Sequence, residues 1–131
     1  MADVVDRAPA LFAARPVALY HGDFTPINML TDGAMLTGLL DFESVRLADP
    51  LFDVASWASA VRFMSPAVLD ASLPAFLDGA GVDATDPDMP ERIDSIQILR
   101  MVELLVTEPR LEPAIEDVVS DRLEAMLRRG R

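Results

Sequence analysis

The sequence predicts an α+β domain, mainly α-helical, with one small β-hairpin in its first third. Three observations carry this. Residues 17–40 hold short runs of β-capable residues around Asp32-Gly33, a strong hairpin-turn signal. From residue 48 onward, apolar residues recur at three- and four-residue steps, and two of these stretches open on Asp49-Pro50 and Ser65-Pro66. At 131 residues the chain has the length of one domain with a sizeable core, and it shows neither an internal repeat nor a second domain.

Residues 4–14 predict a short helix, begun or interrupted near Pro9. Arg15-Pro16 ends it, because the residue before a proline avoids helical backbone. Val17 to Tyr20 is a short apolar strand that delivers His21-Gly22-Asp23 at its end. Met29 to Thr31 and Met35 to Leu40 form the hairpin. Asp49 is placed as N-cap and Pro50 as first helical residue of a helix running to about Phe63, with Leu51, Val54, Trp57, Ala58 and Val61 on its apolar stripe. Trp57 is expected to be buried against the hairpin or the 91–107 helix. Ser65-Pro66 opens a helix towards Asp78-Gly79, broken or kinked at Pro74. Residues 79–90, rich in Gly, Asp and Pro, are a loop. Residues 91–107 are apolar on most faces, hence a buried helix. A last helix from near Pro113 sets Ile115, Val118, Val119, Leu123, Met126 and Leu127 on one face, with Arg128 and Arg129 at its negative end.

Composition narrows the function classes. With 22 acidic against 11 basic residues and a net charge of −11, a basic nucleic-acid footprint is excluded. Acids gathered in a cleft would suit a cationic small substrate. There is no cysteine, which removes disulfides, thiolate metal sites and a cysteine nucleophile. Hydrophobic residues make up 51% and mean hydropathy is +0.26. No apolar block approaches the roughly 18 residues a bilayer span needs, so no membrane role is expected. The surplus apolar surface points to a partner, a second copy or a further lobe. The first sixteen residues contain Asp3 and Asp6 and lack an apolar signal core, so the expected location is the cytoplasm.

The chemistry-bearing residues are Asp23, Asn28 and Asp41, five and then thirteen residues apart around the hairpin. Phosphoryl transfer needs such a set: a carboxylate to position and deprotonate a hydroxyl, and an amide and a carboxylate to hold Mg²⁺ on nucleotide phosphates. With the turn centred on Gly33, Asn28 faces Gly38, and Asp41 lies about 10 Å further along at about 3.3 Å per residue. Glu43 points to the same side as Asp41. His21 is the only histidine, and one placed after an apolar strand is more often a satisfied structural group than a base.

Taken together, His21-Gly22-Asp23 with Asn28, Leu40-Asp41-Phe42-Glu43, Asp49-Pro50 and Asp53 make the segment from Leu19 to Trp57 resemble one known catalytic core. It is that of the aminoglycoside phosphotransferase and choline kinase family, relatives of protein kinases that phosphorylate small molecules. The resemblance implies Asp23 as catalytic base, Asn28 and Asp41 as Mg²⁺ ligands, His21 as organiser of the catalytic loop, and Asp49 and Asp53 as mainly structural. It implies Mg²⁺ with ATP or GTP as cofactors. It also implies a protein-kinase-like C-terminal lobe whose hairpin carries the catalytic loop, the helices after residue 60 forming the substrate side.

The family's N-terminal β-rich lobe supplies a phosphate-covering loop, a lysine on the phosphates and a glutamate holding it. Only 22 residues precede Asp23, none of them part of such a loop, and the chain contains no lysine. The expectation is therefore a C-terminal lobe that transfers the γ-phosphoryl group to a hydroxyl of a small molecule, the acidic balance leaning to an amine, and is nearly inactive by itself. The alternative is a non-catalytic remnant lobe that binds a partner or self-associates through an apolar patch of Phe24, Ile27, Met29, Met35 and Phe42. A metal-dependent hydrolase using His21, Asp23 and Asp41 ranks below both, because one histidine and scattered carboxylates make no familiar hydrolytic metal set.

Overall fold

Helix α2 (Leu51–Met64) is flanked on two sides, which explains why its sequence is apolar well beyond one stripe. The computed structural model describes residues 2–107 and 112–129, apart from the side chains of residues 2, 3 and 129. Within it, Leu51, Val54 and Ala55 pack with Leu77 of α3 (Pro66–Gly79) and with Met89, Ile93 and Ile96 of α4 (Met89–Thr107). Further along α2, Trp57, Ala58 and Val61 gather Leu69, Leu73 and Phe76 of α3 together with Phe24 and Met29. Trp57 is buried, as its phase on the stripe requires, but its main partner is α3: it stacks on Phe76 with centroids 4.1 Å apart and planes 9° from parallel. Phe24 and Met29 therefore pack towards the core and do not join an open patch.

Helix α1 (Ala2–Leu11) contains Pro9 and stops at Leu11, short of Arg15-Pro16, as the backbone turns through a left-handed Ala14. Pro74 does not break α3. Asp70 and Pro74 are both exposed, so the carbonyl that Pro74 leaves unbonded can take a water while Leu69, Leu73 and Leu77 hold the helix to its neighbours. Helix α5 (Pro113–Arg129) lies against α4, and of its apolar stripe Val119 is buried while Ile115 is exposed. Arg128 pairs with Glu124 at 2.7 Å; the Arg129 side chain lies outside the described residues. Among the described residues no helix is long and apolar enough to cross a membrane.

Two small antiparallel sheets complete the fold. Strands β2 (Met29–Thr31) and β3 (Leu36–Leu39) are the hairpin that Asp32-Gly33 announces. Strand β1 (Ala18–Tyr20) pairs with β4 (Arg46–Ala48), an element with no signature in the sequence. Its central pair, Leu19 opposite Leu47, is exposed on both sides, so no inside–outside alternation marks it.

Asp49 does more than cap. One carboxylate oxygen accepts the Leu51 N–H at 2.9 Å, so the first regular helical residue falls just after Pro50. The other oxygen meets Arg92 of α4, both side chains being only 7% exposed. Arg92 also reaches Asp86 at 3.0 Å, and Asp86 in turn takes Arg15 at 3.0 Å. The network ties the end of α1, the 80–88 loop and α4 to the start of α2. Asp49→Asn keeps the capping oxygen and removes the charge opposite Arg92. Because breaking a buried pair strands the surviving charge, the loss should be about 3 kcal/mol. Urea unfolding followed by Trp57 fluorescence measures it, and a midpoint equal to wild type would remove the network from the account of stability.

Candidate active site

The loop after β1 is held from below by α2. The Asp53 carboxylate, in the first turn of that helix, accepts the His21 N–H at 2.8 Å and the Gly22 N–H at 3.1 Å. These two amides leave the strand without a ladder partner, and an ionised carboxylate is the strongest acceptor available for them. Gly22 adopts φ +86°, and a Cβ there would lie 2.1 Å from the Ser44 carbonyl oxygen. Only glycine permits both the turn and the close approach to the segment carrying Asp41.

His21 is buried, and both ring nitrogens are committed. Nε2 donates to the Leu40 carbonyl at 2.8 Å, and Nδ1 accepts the Asp23 N–H at 3.3 Å. A carbonyl can only accept and an amide only donate, which assigns the Nε2–H tautomer. The ring lies against Phe42, centroids 4.7 Å apart, and edge-on to Phe24. It spans from the Asp23 loop to the residue before Asp41 and presents no nitrogen to a substrate.

Asn28 closes the loop. Its Nδ2 donates to the Asp23 carbonyl at 2.9 Å and to Asp23 Oδ2 at 2.8 Å. The Leu40 N–H donates to the Asn28 carbonyl at 2.9 Å, so Asn28 stands opposite Leu40 and not opposite Gly38. Two changes of one position each make the shift: the turn pairs Thr31 with Leu36, not with Met35, and a bulge then leaves Thr37 as an extra residue on β3, so that Leu30 pairs with Gly38. Asp41 thereby follows directly on the partner of Asn28, the bulge alone bringing it one position, about 3.3 Å, nearer than an unbulged register allows. Asp41 itself is left-handed, φ 61°, a region that Asp tolerates better than most side chains, and its carboxylate makes no capping bond to the turn that follows.

Asp23, Thr25, Asp41 and Glu43 open onto a cleft of about 340 Å³. Its far walls are Ala55, Ser56, Ser59 and Ala60 of α2, Gln97 and Arg100 of α4, and Arg122 of α5. Asn28 lies behind Asp23, His21 lies beneath the loop, and Asp49 and Asp53 stand outside the cleft in the ion pair and the loop anchor. The sequence reading missed the far walls. Four small residues at positions 55, 56, 59 and 60 mark one helical face and were a usable signal. Arg100 and Arg122 carried none.

A model of the phosphotransferase enzyme family matches residues 1–93, a span that holds β1, the hairpin and all of α2 and α3. The chain belongs to this family. No curated protein matches the chain. Phosphotransferase-like chemistry is thus the coarse function, and the family's kinase-like fold agrees with a mostly helical body bearing small antiparallel sheets. The match takes in Asp23, Asn28, Asp41 and Glu43 and leaves Arg100 and Arg122 outside.

Among the described residues, no three His, Cys, Asp or Glu side chains are grouped closely enough to cage an ion. Asn28 uses its amide hydrogens on Asp23, which leaves Oδ1 as its donor beside the Asp41 carboxylate segment. Two hard oxygen donors fit a cation that keeps several waters and takes the rest of its shell from phosphate, as Mg²⁺ does. At the far wall, the hydrogen bond from Arg100, aided by Arg46, holds the Glu103 carboxyl below its ordinary value against the opposing effect of burial. That link contributes stability above the ordinary glutamate range and loses it as pH falls through the lowered value. Burial pushes the Arg122 guanidinium below its ordinary value.

Asp53→Asn keeps the shape of the loop anchor but removes its charge and sets an NH2 donor against one of the two amides, which is left without an acceptor, a loss of about 1–3 kcal/mol. Amide exchange at His21 and Gly22 should accelerate about tenfold or more while exchange in α4 stays as in wild type. Unchanged protection at both amides would show that the loop is held by something else.

Proposed function

We propose that this chain is the catalytic, C-terminal lobe of a small-molecule kinase that moves the γ-phosphoryl group of ATP or GTP onto a substrate hydroxyl. The observation that supports this most is the Asn28–Asp23 hydrogen bond at the edge of a cleft that Asp41 and Glu43 also line. Asn28 holds Asp23 Oδ2, which leaves Oδ1 to accept the hydroxyl proton as the substrate oxygen bonds to phosphorus and the nucleoside diphosphate departs. Asn28 and Asp41 are the ligands we assign to Mg²⁺, which when bound supplies positive charge to the phosphates. Glu43 supports that site through water, and His21 keeps the Asp23 loop and the Asp41 segment in register. Placing the helices after residue 60 opposite Asp23 gives the substrate side, and we place the reaction in the cytoplasm.

The phosphates also need a positive clamp, and the chain has no lysine to offer. Ile27, Met35, Leu36, Phe42 and the facing pair Leu19 and Leu47 are exposed around the two sheets. We read this face as the seat of a β-rich, lysine-bearing lobe. The same face favours the second reading, a non-catalytic module that pairs through its sheets, since an apolar area of a few hundred Å² suffices for association.

Transfer of labelled phosphate from ATP to a panel of hydroxylated small molecules separates the two. The chain alone should run near background. A nucleotide lobe of this family supplied in trans should restore turnover, and Asp23→Asn should abolish it again. Robust turnover by the isolated monomer, or restored turnover that ignores Asp23→Asn, would contradict the proposal.

A further inference from the structure

Arg122 is out of place for a structural arginine. On α5 its neighbours three and four residues away are Val118, Val119, Ala125 and Met126, so it sits on the helix's apolar face. It is half-buried, and its guanidinium lies 4.0 Å from the centroid of the Phe63 ring, a cation–π contact that fixes it at the cleft wall. Arg7, Arg15, Arg46, Arg92, Arg100 and Arg128 all pair with carboxylates, while Arg62, which lines a hollow together with Arg122, has no such pair among the described residues. Among the described residues no carboxylate lies within ion-pair distance of Arg122, in a chain with twice as many acids as bases. A cation withdrawn from water without a partner is costly, and the cost is recovered when an anion arrives.

The position is equally specific. Arg122 and Ser59 line both the cleft of the Asp23 site and an adjoining hollow of about 200 Å³ that Asp23, Asp41 and Glu43 do not reach. The site thus has an acidic end, where the hydroxyl is activated, and a cationic end lined by serine hydroxyls. We propose that Arg122, with Ser59, holds an oxyanion of the substrate, a carboxylate or a phosphate ester, and so selects hydroxylated acids over hydroxylated amines. This rests on the phosphotransferase reading of the cleft. It reverses the lean that net charge alone suggests, because −11 describes the whole chain and not this wall.

The test uses the full chain without nucleotide and the probes glycerate, glycerol 3-phosphate, glycerol and ethanolamine. Binding is read from the Arg122 Nε–Hε signal and the Ser59 amide. Glycerate or glycerol 3-phosphate should shift both saturably, and whichever does so identifies the oxyanion; glycerol and ethanolamine should not. Arg122→Gln should weaken that binding tenfold or more. Ser59→Glu sets an internal carboxylate at the same wall and should do the same, which decides the matter if Arg122→Gln does not fold. Anion binding indifferent to both variants, absence of anion binding, or stronger binding of ethanolamine would overturn the inference. The outcome is independent of whether a second lobe restores turnover. Conversely, restored turnover on an amino alcohol that is unaffected by Arg122→Gln would sink the Arg122 assignment and leave the kinase reading standing.

Discussion

One carboxylate organises this site. Asp53 accepts the two amides that the loop after β1 would otherwise leave unbonded, and everything nearer the cleft is built on that anchor. With the loop fixed, Gly22 can close on Ser44, His21 can reach Leu40, and Asn28 can grip both the carbonyl and the carboxylate of Asp23. The first two contacts join the Asp23 loop to the Asp41 segment, and Asn28, which closes that loop, joins it too through the Leu40 N–H on its carbonyl. The two halves of the site are consequently held by backbone and buried groups, while Asp41 and Glu43 stay exposed.

The anchor works because α2 itself cannot shift. Its start is fixed by Asp49, which caps the helix and meets Arg92 in the buried network reaching α1 and the 80–88 loop. Its flanks are fixed by two apolar clusters against α3 and α4. A small sheet region with mostly exposed strands gains its rigidity from this helical body. Strain at Asp41 and the desolvation of Arg122 are tolerable only on such a platform.

Much of this was legible in the sequence, for stated reasons. Helix starts at Asp49-Pro50 and Ser65-Pro66, the Asp32-Gly33 hairpin and the burial of Trp57 rest on local chemistry that a single chain displays. The spacing of Asp23, Asn28 and Asp41 pointed to the family that the match over residues 1–93 shows. The β2–β3 register was not legible, because a bulge at Thr37 changes which residue faces Asn28 without changing the pattern of apolar residues. Strand β4 was missed because both members of its central leucine pair are exposed. Pro74 was weighed as a helix breaker although the carbonyl it frees is on an exposed turn. The Asp49–Arg92 pair and the Arg122 wall join residues 43 or more positions apart or lying on separate helices, and no local pattern encodes them.

The proposed function requires that the anchored loop and the bulged hairpin bring Asn28 and Asp41 to one cation site beside Asp23. Paramagnetic line broadening by Mn²⁺ with ATP measures this most directly, since the effect falls steeply with distance from the ion. The account predicts the strongest broadening at the amides of Asn28 and Asp41, then Asp23, with the acidic loop of Asp83, Asp86 and Asp88 unaffected. Broadening centred on that loop, or spread evenly over the acidic surface, would contradict it.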